Sequence, residues 1–138
     1  MAYMNLLASV PERQILVLQR DVTALLRPTL LLGVSHLTAY WVQVQPLGRL
    51  LGEALDGGEK LGEAFSHPLR DPIFHRPARV RELRQAIADA WEKAKGASQE
   101  EWGPYSRDQP YDIQRLLRAF AHAGQRNECI VKIGRAHV

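Results

Sequence analysis

The sequence contains one cysteine, Cys129, among its 138 residues. An internal disulfide is therefore excluded, and the fold makes no demand for an oxidising compartment. No apolar run approaches the ~18 residues that a membrane-spanning helix requires. The first residues also lack the basic segment with which a signal peptide begins. We therefore expect a cytoplasmic protein that has no membrane partner.

An excess of one charge is also lacking, since 18 Lys and Arg residues face 15 Asp and Glu residues and the net charge is only +3. Nucleic-acid binding relies on basic side chains that form a continuous patch or stripe. The sequence has one cluster of basic residues, which consists of Arg70, Arg76, Arg79, Arg81 and Arg84. On a helical wheel, acidic side chains interrupt this cluster. We therefore expect a salt-bridged, solvated face and no nucleic-acid partner.

The composition is that of a single globular domain. Hydrophobic residues make up 46% of the chain and charged residues 24%, close to the average for soluble domains. A length of 138 residues is typical of one hydrophobic core and too short for two. Disordered, collagen-like and disulfide-stapled classes are excluded by the same values.

The last seven residues, Lys132 to Val138, form a segment that we treat separately. Reverse-translated, they resemble the read-through of a common short-read sequencing adapter. We interpret residues 133–138 as a non-native tail and residues 1–132 as a single α+β domain. On this interpretation the native chain continues past about residue 132 with other residues, and Arg135 and His137 are not functional candidates.

Apolar spacing in the first half of the chain predicts two helices. Ser9 and Glu12 have the spacing of a capping box, which predicts a helix that begins there and ends before Pro28. A second helix is predicted from Ser35, read as its N-cap, to Leu55. Because Pro46 lies inside that range, this helix either kinks or divides in two at the proline.

Two more helices are predicted in the second half. Pro77 opens a helix in which Val80, Leu83, Ile87 and Trp91 share one face, so Trp91 should be buried. A last helix is predicted from about residue 108 to a glycine stop at residue 124.

The strand signals lie at the two ends of the chain. Residues 3–8 alternate loosely, and residues 128–131 are rich in strand-forming residues. We expect these two strands to pair, with about four helices packed on one face of a small, mostly antiparallel sheet, an α+β fold. Two strands alone are marginally stable, so a third strand is expected from the long 58–76 loop or from a partner subunit.

No catalytic or metal-binding motif is complete. The five histidines show no metal-ligand spacing, and one cysteine cannot provide a C-x-x-C pair. Ser35 is not a nucleophile elbow, because Leu37 stands where that motif needs its second glycine. We therefore predict no metal ion and no cofactor, and we interpret Cys129 as a buried apolar residue.

Two hypotheses on function remain open. The first is a non-enzymatic module that binds a protein, such as a partner or a second copy in a homodimer, or a small ligand. Three tryptophans and four tyrosines are compatible with a binding surface, and the candidate ligand-binding residues are Arg76, Tyr40 and Trp41.

The alternative is an enzyme whose site lies in the 58–76 loop and acts on an anionic substrate. An imidazole titrates near neutral pH and a guanidinium binds phosphate or carboxylate in a fork. The candidates are therefore His67 or His75 for acid–base chemistry and Arg70 or Arg76 for the anion.

Several turn motifs resemble those of a known family. The relevant residues are Asp56-Gly57-Gly58, then His67-Pro68-Leu69-Arg70, Pro72, His75 and Pro77, and finally Asn127-Glu128-Cys129-Ile130-Val131. Over most of residues 1–131 the chain resembles the small bacterial YfbM-like proteins, a domain of unknown function. The resemblance implies a single α+β domain, and it supplies no activity, cofactor or catalytic residue.

Overall fold

A computed structural model describes residues 3–20, 27–35, 45–61, 69–95 and 109–136. Within these ranges four helices pack on a five-stranded antiparallel sheet, so the predicted α+β class is confirmed. The strands are β1 (Tyr3–Val10), β2 (Leu30–Ser35), β3 (Glu59–Lys60), β4 (Leu69–His75) and β5 (Cys129–Ala136). The helices are α1 (Glu12–Arg20), α2 (Leu47–Asp56), α3 (Pro77–Ala94) and α4 (Gln109–Arg126).

The strand order in the sheet is β2-β1-β5-β4-β3. The first and last strands pair as predicted, in a register that joins Tyr3 to Ala136 and Val10 to Cys129. The expected third strand also comes from the 58–76 segment, because β4 pairs with the other side of β5 and β3 pairs with β4. All of these pairings are antiparallel.

Strand alternation gives the sheet two buried faces. On one face, Leu7 and Ile130 belong to the main core, to which α2, α3 and α4 contribute their apolar sides. On the other face, Ala8 and Val131 pack with Ile15 of α1. The expectation that helices cover one face only is therefore wrong, because the helix that follows β1 packs on the second face.

Helix α3 has the apolar face that its spacing predicts. Val80, Leu83 and Ile87 are fully buried or nearly so, and Trp91 is only 8% exposed. The proline at position 77 occupies the first turn, where its missing N–H needs no partner. This helix brings the basic side chains between its apolar positions to the surface.

The interpretation of Ser35 is corrected by the structure. Ser35 is the last residue of β2 and pairs with Met4 of β1, so it does not cap a helix. The run Leu30–Val34 is apolar without alternation, which hides a strand among helical spacings. Helix α2 begins at Leu47, directly after Pro46, where the sequence suggested that a second helix could open. The predicted helical residues 36–44 lie outside the described residues.

Ser9 does not form the predicted capping box. It is fully buried within β1, and its hydroxyl donates a hydrogen bond of 2.9 Å to Oε1 of Glu128. Helix α1 nevertheless begins close to the predicted place, at Glu12 after Pro11. The start of the helix was predicted correctly, while the cap was assigned to a residue that belongs to the sheet.

Strand β5 runs through Ala136 and so includes part of the segment set aside as a tail. Residues 133–136 pair with the start of β1 through backbone groups, which any extended chain provides whatever its side chains. The assignment of residues 133–138 as non-native is not tested by this pairing and stays a prediction. No helix among the described residues combines the length and apolar composition needed to cross a bilayer.

Candidate functional site

A groove of about 360 Å³ lies on the surface between α3 and α4. The start of α3 lies beside the end of α4, where a side chain added at Gly124 would place its Cβ 3.2 Å from Cγ of Arg81. Gly124 lies inside α4 and is not the helix stop that the sequence suggested. The missing side chain leaves room for the Arg81 stem and lowers one wall of the groove.

The groove has a polar rim and an apolar floor. Two arginines and two glutamines provide the polar lining: Arg81, Arg84, Gln85 and Gln125. Phe120, Ala121 and Gly124 provide the apolar lining. No carboxylate lines the groove among the residues that the structure describes, although Gln85 Nε2 donates to the exposed Asp89 one turn away. The lining therefore carries two positive charges.

The turn that ends α4 holds Arg81 in place. Asn127 adopts a left-handed conformation with φ 54°, and the N–H of Glu128 donates to the carbonyl of Ala123 at 2.8 Å. These are the features of a Schellman motif, in which an asparagine can replace the usual glycine. Asn127 Oδ1 then accepts a hydrogen bond of 2.9 Å from the Arg81 guanidinium.

Arg84 differs from the other arginines of this cluster whose side chains are described. Arg76 pairs with Glu12 and Glu59, and Arg79 pairs with Glu53 and Glu82. In contrast, the guanidinium of Arg84 makes no ion pair or hydrogen bond within the described ranges. Its charge remains available to a ligand in the groove.

His75, a predicted acid–base candidate, lies in the main core and does not line the groove. It is 3% exposed, its Nε2 lies 2.8 Å from the carbonyl oxygen of Ala54, and its ring is 6.0 Å from that of Phe120. Burial lowers the pKa of the imidazole and outweighs the hydrogen bond to Ala54, which raises it. This geometry is that of a structural histidine.

Arg76, a predicted anion-binding residue, does not lie beside His75. The side chain of Arg76 packs over the Phe74 ring, on the opposite face of the sheet from His75. Arg70 lies on β4, where its backbone pairs with Gly134. His67, Tyr40 and Trp41 lie outside the described residues.

Cys129 has the inert environment expected from the sequence. Its side chain is fully buried on the α1 face of the sheet. Burial raises the pKa of the thiol to about 11, so the thiolate is scarce at neutral pH. Nucleophilic chemistry at this cysteine is therefore not supported.

A second polar cluster surrounds the carboxylate of Glu128. Its Oε1 accepts hydrogen bonds from Ser9 Oγ and from Thr29 Oγ1 at 2.5 Å, and it lies 3.3 Å from Nε of Arg126. His122 Nε2 lies 3.0 Å from Thr29 Oγ1. Thr29 Oγ1 also donates to the carbonyl oxygen of Ser9 at 3.2 Å, so this hydroxyl lies between several polar partners.

The Glu128 cluster joins four parts of the chain. It links β1, the segment before β2, the end of α4 and the start of β5. We interpret it as a structural junction. Within the described ranges, no three His, Cys, Asp or Glu side chains are placed to hold a metal ion.

Sequence reasoning missed the groove because its two walls are distant in the chain. Arg81 and Arg84 were noted as members of a charge cluster, and Gly124 was interpreted as a helix stop. The available signal was the glycine itself, since a glycine inside a helix costs about 1 kcal/mol relative to alanine and often has a packing reason.

The described fold is an α+β domain with four helices and a five-stranded antiparallel sheet. In this sheet the first strand, β1, pairs with the last strand, β5. No protein-family model matches the chain, and no curated protein matches it in sequence. Among solved structures the chain is similar to YfbM from Escherichia coli, a protein of unknown function, with a TM-score of 0.59 and 12% identity. The match covers 95% of this chain and 99% of that one, and it confirms the expected resemblance at the level of the fold.

Proposed function

We propose that this protein is a non-enzymatic module that binds a small anionic ligand in the groove between α3 and α4. The observation that carries the proposal is the lining: two arginines and no carboxylate line the groove among its described residues. Guanidinium groups donate in a planar fork that matches carboxylate and phosphate oxygens. The groove is at the small end of the volumes typical of ligand sites.

The two arginines have complementary roles in this proposal. Arg81 is held by Asn127 and so presents its charge in a fixed position. Arg84 is free to close on a bound anion. A site with one fixed and one mobile cation loses less side-chain entropy on binding than a site with two mobile cations.

Several observations favour binding over catalysis. The groove is lined by no histidine, carboxylate, serine, threonine or cysteine among its described residues, so it offers no usual acid, base or nucleophile. His75 lies in the core, with its ring nitrogen engaged by Ala54. The enzymatic alternative now depends on His67 and Arg70, and no described contact favours it.

The test is a titration with inorganic phosphate at constant ionic strength, followed by backbone amide chemical shifts. We expect saturable shifts at Ala121, Gly124 and Gln125. The variant Arg84→Gln should weaken binding roughly tenfold, since it removes a charged hydrogen-bonding group.

The matched control is Arg13→Gln, which removes the same charge from α1 on the opposite face of the sheet. Its dissociation constant should stay within about twofold of the parent value, as expected for a screened, distant charge. Equal losses in Arg13→Gln and Arg84→Gln, or no saturable shift in the groove, would overturn the proposal.

A further inference from the structure

We infer that the anion bound in this groove carries a flat apolar body, such as an aromatic ring, beside its charged group. This inference rests on the proposed function and adds the chemical class of the ligand. Three observations support it: the apolar floor, the glycine of α4 within that floor and the two arginines of α3 in the same lining.

The floor of the groove is apolar, and its small residues let a ligand approach it closely. Ala121 and Gly124 present one methyl group and no side chain, respectively, and Phe120, which also contributes to the lining, is itself fully buried. Small residues allow a flat group to approach the helix backbone and exclude water from both surfaces. An inorganic ion would leave this floor in contact with water, because an anion gains nothing from an apolar surface.

Gly124 of α4 indicates that the open space in the groove is functional. A Cβ at position 124 would press on the aliphatic stem of Arg81 at 3.2 Å. Alanine is better than glycine inside a helix by about 1 kcal/mol, so the glycine lowers helix stability while it widens the groove. The φ angle at this position is not left-handed, so the backbone alone does not require glycine.

The arginines complete the recognition of a ring with an anionic substituent. Arg81 and Arg84 are three residues apart and therefore lie on the same side of α3. A guanidinium plane can stack on an aromatic ring while its N–H groups donate to an anion at the edge of that ring. The apolar body would lie on the floor and the charged group at the rim.

The experiment compares four probes by calorimetry at constant ionic strength: 2-naphthoate, 2-naphthyl phosphate, inorganic phosphate and the neutral 2-naphthalenemethanol. We expect either naphthyl anion to bind at least roughly tenfold more tightly than inorganic phosphate and than the neutral alcohol. The tighter of the two naphthyl anions identifies the charged group. Equal affinity for inorganic phosphate and the naphthyl anions would overturn this inference and leave the proposed anion site standing.

The variant Gly124→Ala separates the ligand class from the site itself. It should weaken the naphthyl anions roughly tenfold and weaken inorganic phosphate by less than that, because the added methyl fills the floor and meets the aliphatic stem of Arg81 rather than its guanidinium. A thermal melt of this variant verifies that it is folded. Unchanged affinity for the naphthyl anions in Gly124→Ala would contradict the inference, whereas a roughly tenfold weaker binding of the three anionic probes in Arg84→Gln is expected from the proposed function.

Discussion

His75 of β4 and Ala54 of α2 are joined by a hydrogen bond of 2.8 Å between the imidazole Nε2 and the backbone carbonyl oxygen. The carbonyl is an acceptor, so Nε2 carries a proton and donates it. The contact connects the end of a helix to the sheet inside the main core. It also fixes the position of Gly58, where a Cβ would lie 3.1 Å from Cε1 of His75 and 2.7 Å from the carbonyl oxygen of Phe74.

The first prediction concerns stability at acidic pH. The pKa of His75 is below 6.5 in the folded protein because burial disfavours the charged imidazole. In the interval from 6.5 down to the folded pKa, the unfolded chain binds a proton that the folded chain does not, so stability falls as the pH falls. The neutral, buried His75 makes its full contribution to the free energy of unfolding above about pH 6.5, which is near the ordinary pKa of histidine. This contribution is lost below the pKa that His75 has in the folded protein.

The measurement is urea unfolding of the parent and of His75→Gln at pH 7.5 and 5.5. Glutamine retains an N–H donor for Ala54 and does not titrate, so the variant should lose part of the acid sensitivity of the parent. The control is His122→Gln at a half-buried position. An equal pH dependence in the parent and His75→Gln would show that His75 is protonated equally in both states.

The second prediction concerns the carboxylate of Glu128. Burial opposes its ionisation, but hydrogen bonds from Thr29 and Ser9 and the charge of Arg126 outweigh burial and lower its pKa. A carboxylate that is ionised more readily when folded stabilises the protein above about pH 4.5, its ordinary value, and loses this effect as the pH falls through the folded pKa.

We expect Glu128→Gln to lower the free energy of unfolding at pH 7 by about 1–2 kcal/mol, since charged hydrogen bonds become neutral ones. Chemical denaturation at pH 7 and at a series of lower pH values, down through the folded pKa, would measure both the loss and its disappearance in acid. Glu92→Gln is the control, because its pair with Lys95 is exposed and should contribute less than about 1 kcal/mol. Identical losses in the two variants would mean that burial of the Glu128 cluster has no energetic effect.

A third prediction concerns Trp91, which lies on the buried face of α3. Replacement by alanine removes a large, 92% buried side chain, 8% being exposed, and should cost about 3–5 kcal/mol. Tyr111→Ala is a suitable comparison because Tyr111 is 70% exposed and should change stability by no more than about 0.5 kcal/mol. Thermal melts of the two variants should differ clearly, and similar melting temperatures would contradict the packing described for α3.

The fourth prediction concerns Asn5, whose Nδ2 is buried and has no hydrogen-bond partner among the described residues. An unsatisfied buried donor costs about 1–3 kcal/mol, and an apolar group of similar shape avoids that cost. Asn5→Leu should therefore leave stability unchanged or raise it, whereas Asn5→Asp should lower it by burying a charge. Denaturation at pH 7 distinguishes the two, and a large loss in Asn5→Leu would show that the amide has a partner in solution.

The helices were predictable where their signals are local. The spacing of Val80, Leu83 and Ile87 alone gives the buried face of α3 and the burial of Trp91. Ser9 shows the limit of such reasoning, because the residue has the right spacing for a cap and its hydroxyl instead contacts Glu128, 119 positions away. When a side chain has two possible hydrogen-bond partners, the partner that is nearer in the sequence is not necessarily the one that it contacts.

The groove could not be predicted because it depends on how two helices are paired. Arg84 and Gln125 become neighbours only after α3 and α4 have packed with opposite directions. Gly124 is followed two residues later by the true end of the helix, and only the left-handed Asn127 identifies that end. A glycine near a predicted boundary resembles a stop when its spatial neighbours are unknown.

The central place of β5 has a consequence for how the protein is made. Strands β1 and β2 form one pair and β3 and β4 another, and β5 alone joins the two pairs into one sheet. Before β5 leaves the ribosome, a nascent chain can form only separate two-stranded ribbons, which are marginally stable in water. Closing the β1–β5 contact also brings together residues more than a hundred positions apart, which slows folding. We therefore expect the sheet to close only after β5 has left the ribosome, with the main core exposed to chaperones until then.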